Sequence, residues 1–137
     1  ALINPTYENH SGHQEVVKVI FDSDIISYKD LLKQYWINID PFDNKGQFCD
    51  RGDSYKPVIF ISNKEQELDA KDSQRNISAA LNVPLEQLKV EIVDSKSFWS
   101  AENYHQDFAV KNPLKYNFYR TSCGRDNRLK KVWGEYK

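Results

Sequence analysis

What most constrains this chain is its alternation of short β-rich runs with stretches of helical periodicity. Residues 14–22 carry Val16, Val17, Val19, Ile20 and Phe21 and end at Asp22-Ser23-Asp24, which predicts a strand. Ser27 then reads as an N-cap, with Asp30 three residues on as a weak capping box. Leu31, Leu32, Tyr35 and Trp36 follow at helical spacing, predicting a helix to about Asn38 that Asp40-Pro41 ends. Pro57–Ser62 is a short apolar run of central-strand type, and Lys64 to about Leu81 is a charged amphipathic helix. Leu88–Val93 alternates like a strand, and Ala101–Lys111 reads as a short helix stopping before Asn112-Pro113. Residues 114–124 read as irregular and aromatic, and Arg125–Trp133 as a closing helix. This order implies an α+β sandwich, helices over one sheet, with an irregular C-terminal tail. The strands are few for a stable sheet, so one or two more are expected to precede residue 1.

At 137 residues and 39% hydrophobic content, the chain suits one domain, residues 1–137, with a real core. The net charge of −1 argues against a broad nucleic-acid footprint, which needs clustered positive charge. The basic tail is weak evidence for one: Lys115, Arg120, Arg125, Arg128, Lys130, Lys131 and Lys137 stand against Asp126 and Glu135, which suits a solvated face or an acidic partner. No apolar run approaches the roughly 20 residues of a membrane span. Two cysteines are too few for a disulfide framework and too isolated for a zinc site, so each reads as a free thiol.

Residues 41–54 form a connection longer than a compact domain usually tolerates without a function. Asp50 in it either closes a turn or serves a site, and Cys49 beside it is either inert or reactive. Glu15, if it points into an apolar pocket, keeps its proton and can act as an acid. Tyr7 and Tyr55 stand beside polar turns; two phenols converging on one acid would make a donor cage for a developing oxyanion. Cys123 sits among Arg120, Arg125 and Arg128, with Gly124 next, which suits a thiol that travels and attacks. His105 lacks a second histidine at metal spacing and reads as a hydrogen-bonded structural residue.

As an ordered set these segments resemble a known family. Asn4-Pro5-Thr6-Tyr7, Gly12-His13-x-Glu15, Asp50-Arg51-Gly52-x-x-Tyr55-Lys56, Ala101-Glu102-x-Tyr104-His105-Gln106 and Asn112-Pro113 are similar to the successive motifs of A-type peptide methionine sulfoxide reductases. Ser122-Cys123-Gly124-Arg125-Asp126 and Leu129…Trp133-Gly134 resemble the C-terminal segment of one branch. The resemblance implies a ferredoxin-like two-layer sandwich and reduction of methionine-S-sulfoxide, free or in proteins, in protein repair under oxidative stress. In that chemistry a cysteine becomes a sulfenic acid, a second cysteine turns it into a disulfide, and thioredoxin, or dithiothreitol in its place, reduces the disulfide. By resemblance Glu15 protonates the sulfoxide oxygen, Tyr7 and Tyr55 hydrogen-bond it, Asp50 supports the site, and Cys123 is the resolving cysteine. No bound cofactor or metal is implied, and a cytoplasmic monomer is expected.

The family's Gly-Cys-Phe-Trp motif, which carries the nucleophile and the pocket for the sulfur methyl, is absent from the 137 residues. It is expected upstream of residue 1. The spacer from Tyr7 to Glu15 is shorter than in many members, and Lys56 stands where the family usually has Arg. Two other readings stay open: a non-catalytic relative that binds oxidised methionine or a partner protein, and a chain in which Cys49 substitutes as nucleophile.

Overall fold

A computed structural model describes residues 4–134 and 136. The ends of the expected domain 1–137, including Glu135 and Lys137 of the basic tail, lie outside the described residues. In chain order the elements are α1 (Tyr28–Trp36), β1 (Gly46–Gln47), β2 (Asp50–Arg51), a 3-10 turn (Asp53–Tyr55), β3 (Val58–Ile61), α2 (Lys64–Leu81), a second 3-10 turn (Leu85–Gln87), β4 (Glu91–Asp94), α3 (Phe108–Lys111), α4 (Pro113–Ser122) and α5 (Arg125–Trp133).

Local chemistry sets the helix ends. Ser27 Oγ accepts the Asp30 N–H at 3.0 Å, and Asp30 Oδ2 accepts the Ser27 N–H at 3.4 Å, so the expected capping box is formed. Helix α1 stops at Trp36, before Asn38, because the Asn38 amide donates to the Gln34 carbonyl at 2.7 Å and caps it instead of extending the helix. In α2, Asn63 Oδ1 accepts the Gln66 N–H at 2.8 Å, and Asn82 ends the helix in the left-handed region.

The sheet is a parallel pair, β3 with β4, in register from Val58↔Glu91 to Ile61↔Asp94. Parallel neighbours need a crossover, and α2 supplies it. Leu32 and Trp36 of α1, Ile59 and Ile61 of β3, Ala70 and Ile77 of α2, and Leu129 and Trp133 of α5 form one buried cluster with Leu88 and Val90. The two buried indoles donate to Ser73 Oγ at 2.9 Å (Trp36) and to the Ile39 carbonyl at 2.8 Å (Trp133). A second antiparallel pair, β1 with β2, joins Gly46↔Arg51 and Gln47↔Asp50 inside the long connection. Glycine is required at position 46, since a Cβ there would collide with the Asp50 carbonyl oxygen.

The α+β class agrees with the sequence reading, and three details differ. Residues 14–22 form no strand, because no partner pairs with them among the described residues; Val17 and Ile20 face solvent instead. Residues 101–102 are irregular and 103–107 are turns, and only Phe108–Lys111 is helical. The segment expected to be irregular is helix α4, started by Pro113 at its first turn, where a missing N–H costs nothing.

Candidate active site

Four segments converge on the 3-10 turn at Asp53–Tyr55. The Glu15 N–H donates to the Ser54 carbonyl at 2.8 Å, which fixes the start of the 14–22 segment beside Tyr55. His10 Nδ1 and Ser54 Oγ hydrogen-bond at 2.7 Å, and the His10 ring meets Tyr55 edge-on at 5.8 Å. A tight turn, with Thr6 N–H donating to the Asn9 carbonyl at 2.8 Å and Asn9 N–H returning to Thr6 at 3.0 Å, presents Tyr7. The Tyr7 N–H is held by Glu102 Oε1 at 3.1 Å, and Glu102 Oε2 accepts the Tyr104 hydroxyl at 3.1 Å. Tyr7 and Tyr104 pack on His105 at 4.3 and 4.1 Å between ring centroids.

From the other side, β2 brings Asp50, whose carboxylate accepts the Tyr119 hydroxyl of α4. Cys49 and Cys123 are joined in a disulfide, with their Cα atoms 5.2 Å apart. The expectation of two free thiols is therefore overturned: a sequence separation of 74 residues hides the pairing, and the fold brings the β1–β2 turn against the end of α4.

The charge balance keeps Glu15 protonated longer than an ordinary carboxylic acid. Crowding by protein atoms raises its pKa, and the Asp50 charge adds to the rise; His105, Arg125 and His10 oppose it more weakly. Lost hydration, with Tyr7, Glu15 and Asp50 nearby, pushes Tyr55 up to about 12, so it stays a donor at neutral pH. Tyr119 is also raised, by lost hydration and then by its bond to Asp50. Glu102 ends below the usual range: partial desolvation pushes it up, but the Tyr7 N–H and Tyr104 hydroxyl outweigh that.

The fold thus gathers Glu15, Tyr7, Tyr55 and Asp50, with Cys123 tied to the same loop through Cys49. One acid and several phenol donors on an open surface can hydrogen-bond a polar oxygen and deliver a proton to it. Sequence reasoning missed Tyr119, His10 and Ser54. For Tyr119 a signal existed, since Asn112-Pro113 followed by aromatics at helical spacing marks a helix start rather than a loop. The His105 ring is packed as a structural residue would be, but its Nε2 is buried without a hydrogen-bond partner among the described residues. Among those residues no group of His, Cys, Asp and Glu is arranged to hold a metal, and no helix is long and apolar enough to cross a membrane.

Comparison with known proteins points one way. The family model described as "Peptide methionine sulfoxide reductase" matches residues 1–137. "Peptide methionine sulfoxide reductase MsrA 2" of Rhizobium meliloti (strain 1021) is 42% identical over 134 residues, covering 96% of this chain and 66% of that protein. The protein of the same name from Caulobacter vibrioides is 43% identical over 137 residues, covering 97% and 68%. The chain therefore spans about two thirds of the length of these curated relatives. Two solved structures share the fold. Methionine sulfoxide reductase A of Corynebacterium diphtheriae has a TM-score of 0.66 at 23% identity, over 82% of this chain and 59% of that one. Mxr1 of Saccharomyces cerevisiae in reduced form has a TM-score of 0.61 at 22% identity, over 69% and 50%.

Proposed function

Because the chain belongs to the peptide methionine sulfoxide reductase family, we propose that it serves the reduction of methionine-S-sulfoxide, free or in proteins, to methionine. The observation that carries this reading is a proton-holding Glu15 grouped with the phenols of Tyr7 and Tyr55. A sulfoxide oxygen leaves poorly until it is protonated, and these are the groups that protonate and hold it. Glu15 is the acid, and Tyr7 and Tyr55 bind the oxygen. Asp50, with Tyr119, shapes the field around Glu15.

The reaction balances as one sulfoxide and two thiols giving one sulfide, one disulfide and water. A thiolate attacks the substrate sulfur, methionine departs, and the oxygen stays on the attacking cysteine as a sulfenic acid. Cys123 as a thiol then displaces that oxygen as water and forms a disulfide. A dithiol of the thioredoxin class, or dithiothreitol, supplies the two electrons that open it. No bound cofactor takes part. The reductant fits the cytoplasm, where thiols are kept reduced.

The test is turnover of S and R epimers of a methionine sulfoxide peptide with dithiothreitol. It compares the 137-residue chain alone with the chain supplied with a segment carrying Gly-Cys-Phe-Trp. S-specific turnover only when that segment is present is the expected result. Turnover by the 137 residues alone would make Cys49 or Cys123 the attacking thiol, and no S-specific turnover in either form would overturn the reading.

A further inference from the structure

The two phenols assigned to the sulfoxide oxygen stand on separate supports. Tyr55 belongs to the 3-10 turn that Ser54 ties to His10 and Glu15. Tyr7 lies in a stretch with no helix or strand and is 50% exposed. Its ring approaches His10 of its own stretch, at 6.4 Å, and its hold on the rest of the fold is the segment 102–106. The Tyr7 N–H meets both Glu102 oxygens, at 3.1 and 3.4 Å, across 95 residues of sequence. The Tyr7 ring lies on His105 of the same segment. That segment is braced. His105 N–H donates to the Glu102 carbonyl at 2.9 Å, and Gln106 N–H to the Asn103 carbonyl at 3.1 Å. Lys111 Nζ of α3 donates to the Asn103 carbonyl at 3.0 Å, and Gln106 Nε2 to the Ala101 carbonyl at 2.8 Å. The Tyr104 hydroxyl donates to Glu102 Oε2 at 3.1 Å and fixes which way the carboxylate faces. Glu102 is thus a charged acceptor on a firm base, with the backbone of Tyr7 hung from it.

We propose that Glu102 is a positioning residue for the reaction: it sets where the Tyr7 hydroxyl stands relative to Tyr55 and Glu15, with Tyr104 holding its carboxylate in line. The inference rests on the proposed function for the role of Tyr7. Glu102 gives no proton itself, because its pKa lies below the usual carboxylate range and both oxygens already accept hydrogen bonds. Its part is geometric. A phenol displaced by about 1 Å no longer lines up with the oxygen that Glu15 protonates, and misplacement of that size costs up to about 10²-fold in rate. The Tyr7 hydrogen bond strengthens as charge builds on the departing oxygen, so the effect falls on the chemical step more than on binding. Of the motif Ala101-Glu102-x-Tyr104-His105-Gln106, Glu102 and Tyr104 thereby receive a role.

The test uses the pre-reduced chain supplied with the Gly-Cys-Phe-Trp segment, in single turnovers with enzyme in excess and no reductant added, so that recycling sets no limit. Rates on the S epimer of a methionine sulfoxide peptide are followed across enzyme concentrations for the parent, Glu102→Ala, Tyr7→Phe and the double variant. Glu102→Ala should lower the limiting rate about tenfold and move the half-saturating concentration by less than about twofold. In the Tyr7→Phe background, which has no hydroxyl to place, Glu102→Ala should cost less than about twofold more. Glu102→Gln, whose amide oxygen still accepts the Tyr7 N–H, should recover most of the rate. An unchanged rate in Glu102→Ala, or an equal loss in both backgrounds, would overturn the proposal, the second outcome marking a merely structural residue. Tyr104→Phe is the second variant in case Glu102→Ala does not fold. It removes one hydroxyl from an exposed side chain, should keep the parent urea midpoint, and should slow the limiting rate about twofold with the same dependence on Tyr7. A parent enzyme without S-specific turnover overturns the proposed function and this role with it. An active parent indifferent to Glu102 and Tyr104 overturns this role alone.

Discussion

Removing Arg128 tests how α5 is anchored against the site loop. Asp40 is 7% exposed, and its carboxylate accepts Arg128 Nε at 2.8 Å and Nη2 at 3.4 Å. Its only other donor among the described contacts is the Phe42 N–H at 3.1 Å. The loop cannot easily turn the carboxylate outward, because Gln47 clasps the Asp40 backbone on both sides, at 2.9 and 2.7 Å. Arg128→Ala therefore strands a largely dehydrated charge. Breaking a fully buried pair costs about 3–5 kcal/mol. The Arg128 side chain is 36% exposed, so water already weakens the pair, and about 2 kcal/mol is expected. Urea unfolding followed by far-ultraviolet circular dichroism measures it. Asp40→Asn removes the stranded charge, so the double variant should recover part of the loss, with a coupling of about 1–2 kcal/mol in a double-mutant cycle. Lys130→Ala, an exposed change on the same helix, should stay within about 0.5 kcal/mol. Strict additivity of Asp40→Asn and Arg128→Ala would refute this account of the anchor.

Glu15→Gln should lower sulfoxide turnover by about 10²-fold or more in the segment-supplied assay, since the amide cannot give a proton. In the parent, turnover should fall as pH rises through the raised Glu15 pKa. Over the same window the folded chain binds more protons than the unfolded one, so stability falls with rising pH, and Glu15→Gln should flatten that slope; an unchanged urea-midpoint profile would contradict the raised pKa of Glu15. Opening the disulfide should destabilise the fold by at most about 4.5 kcal/mol, the chain-entropy value for a ring spanning 74 residues of separation. Coincident urea midpoints with and without dithiothreitol would show that the Arg125–Phe48 and Tyr119–Asp50 contacts alone hold the loop.

Where a signal is local, the sequence carried it. Ser27 with Asp30, and the apolar spacing of Leu32 and Trp36, contain the whole cause of α1. The run Lys64–Leu81 likewise appears as helix with the same bounds. Residues 14–22 failed as a strand because β propensity needs a partner ladder, which local composition cannot report. The site was legible as an ordered set of motifs, and the structure adds the reason they belong together: Glu102 holding Tyr7 across 95 residues, and Ser54 joining His10 to Glu15. The pairing of Cys49 with Cys123 is of the same non-local kind.

The placement of the indoles has an optical consequence. Trp36 and Trp133 have no exposure, whereas Trp99, three residues before Glu102, is 37% exposed. A dissolved quencher such as iodide reaches Trp99 and not the other two, so one emission spectrum divides by depth. The quenchable part watches the Tyr7–Glu102 side of the site, and the protected part watches the packing of α1, α2 and α5. Events at the surface and melting of the interior thereby become separately visible without any added label.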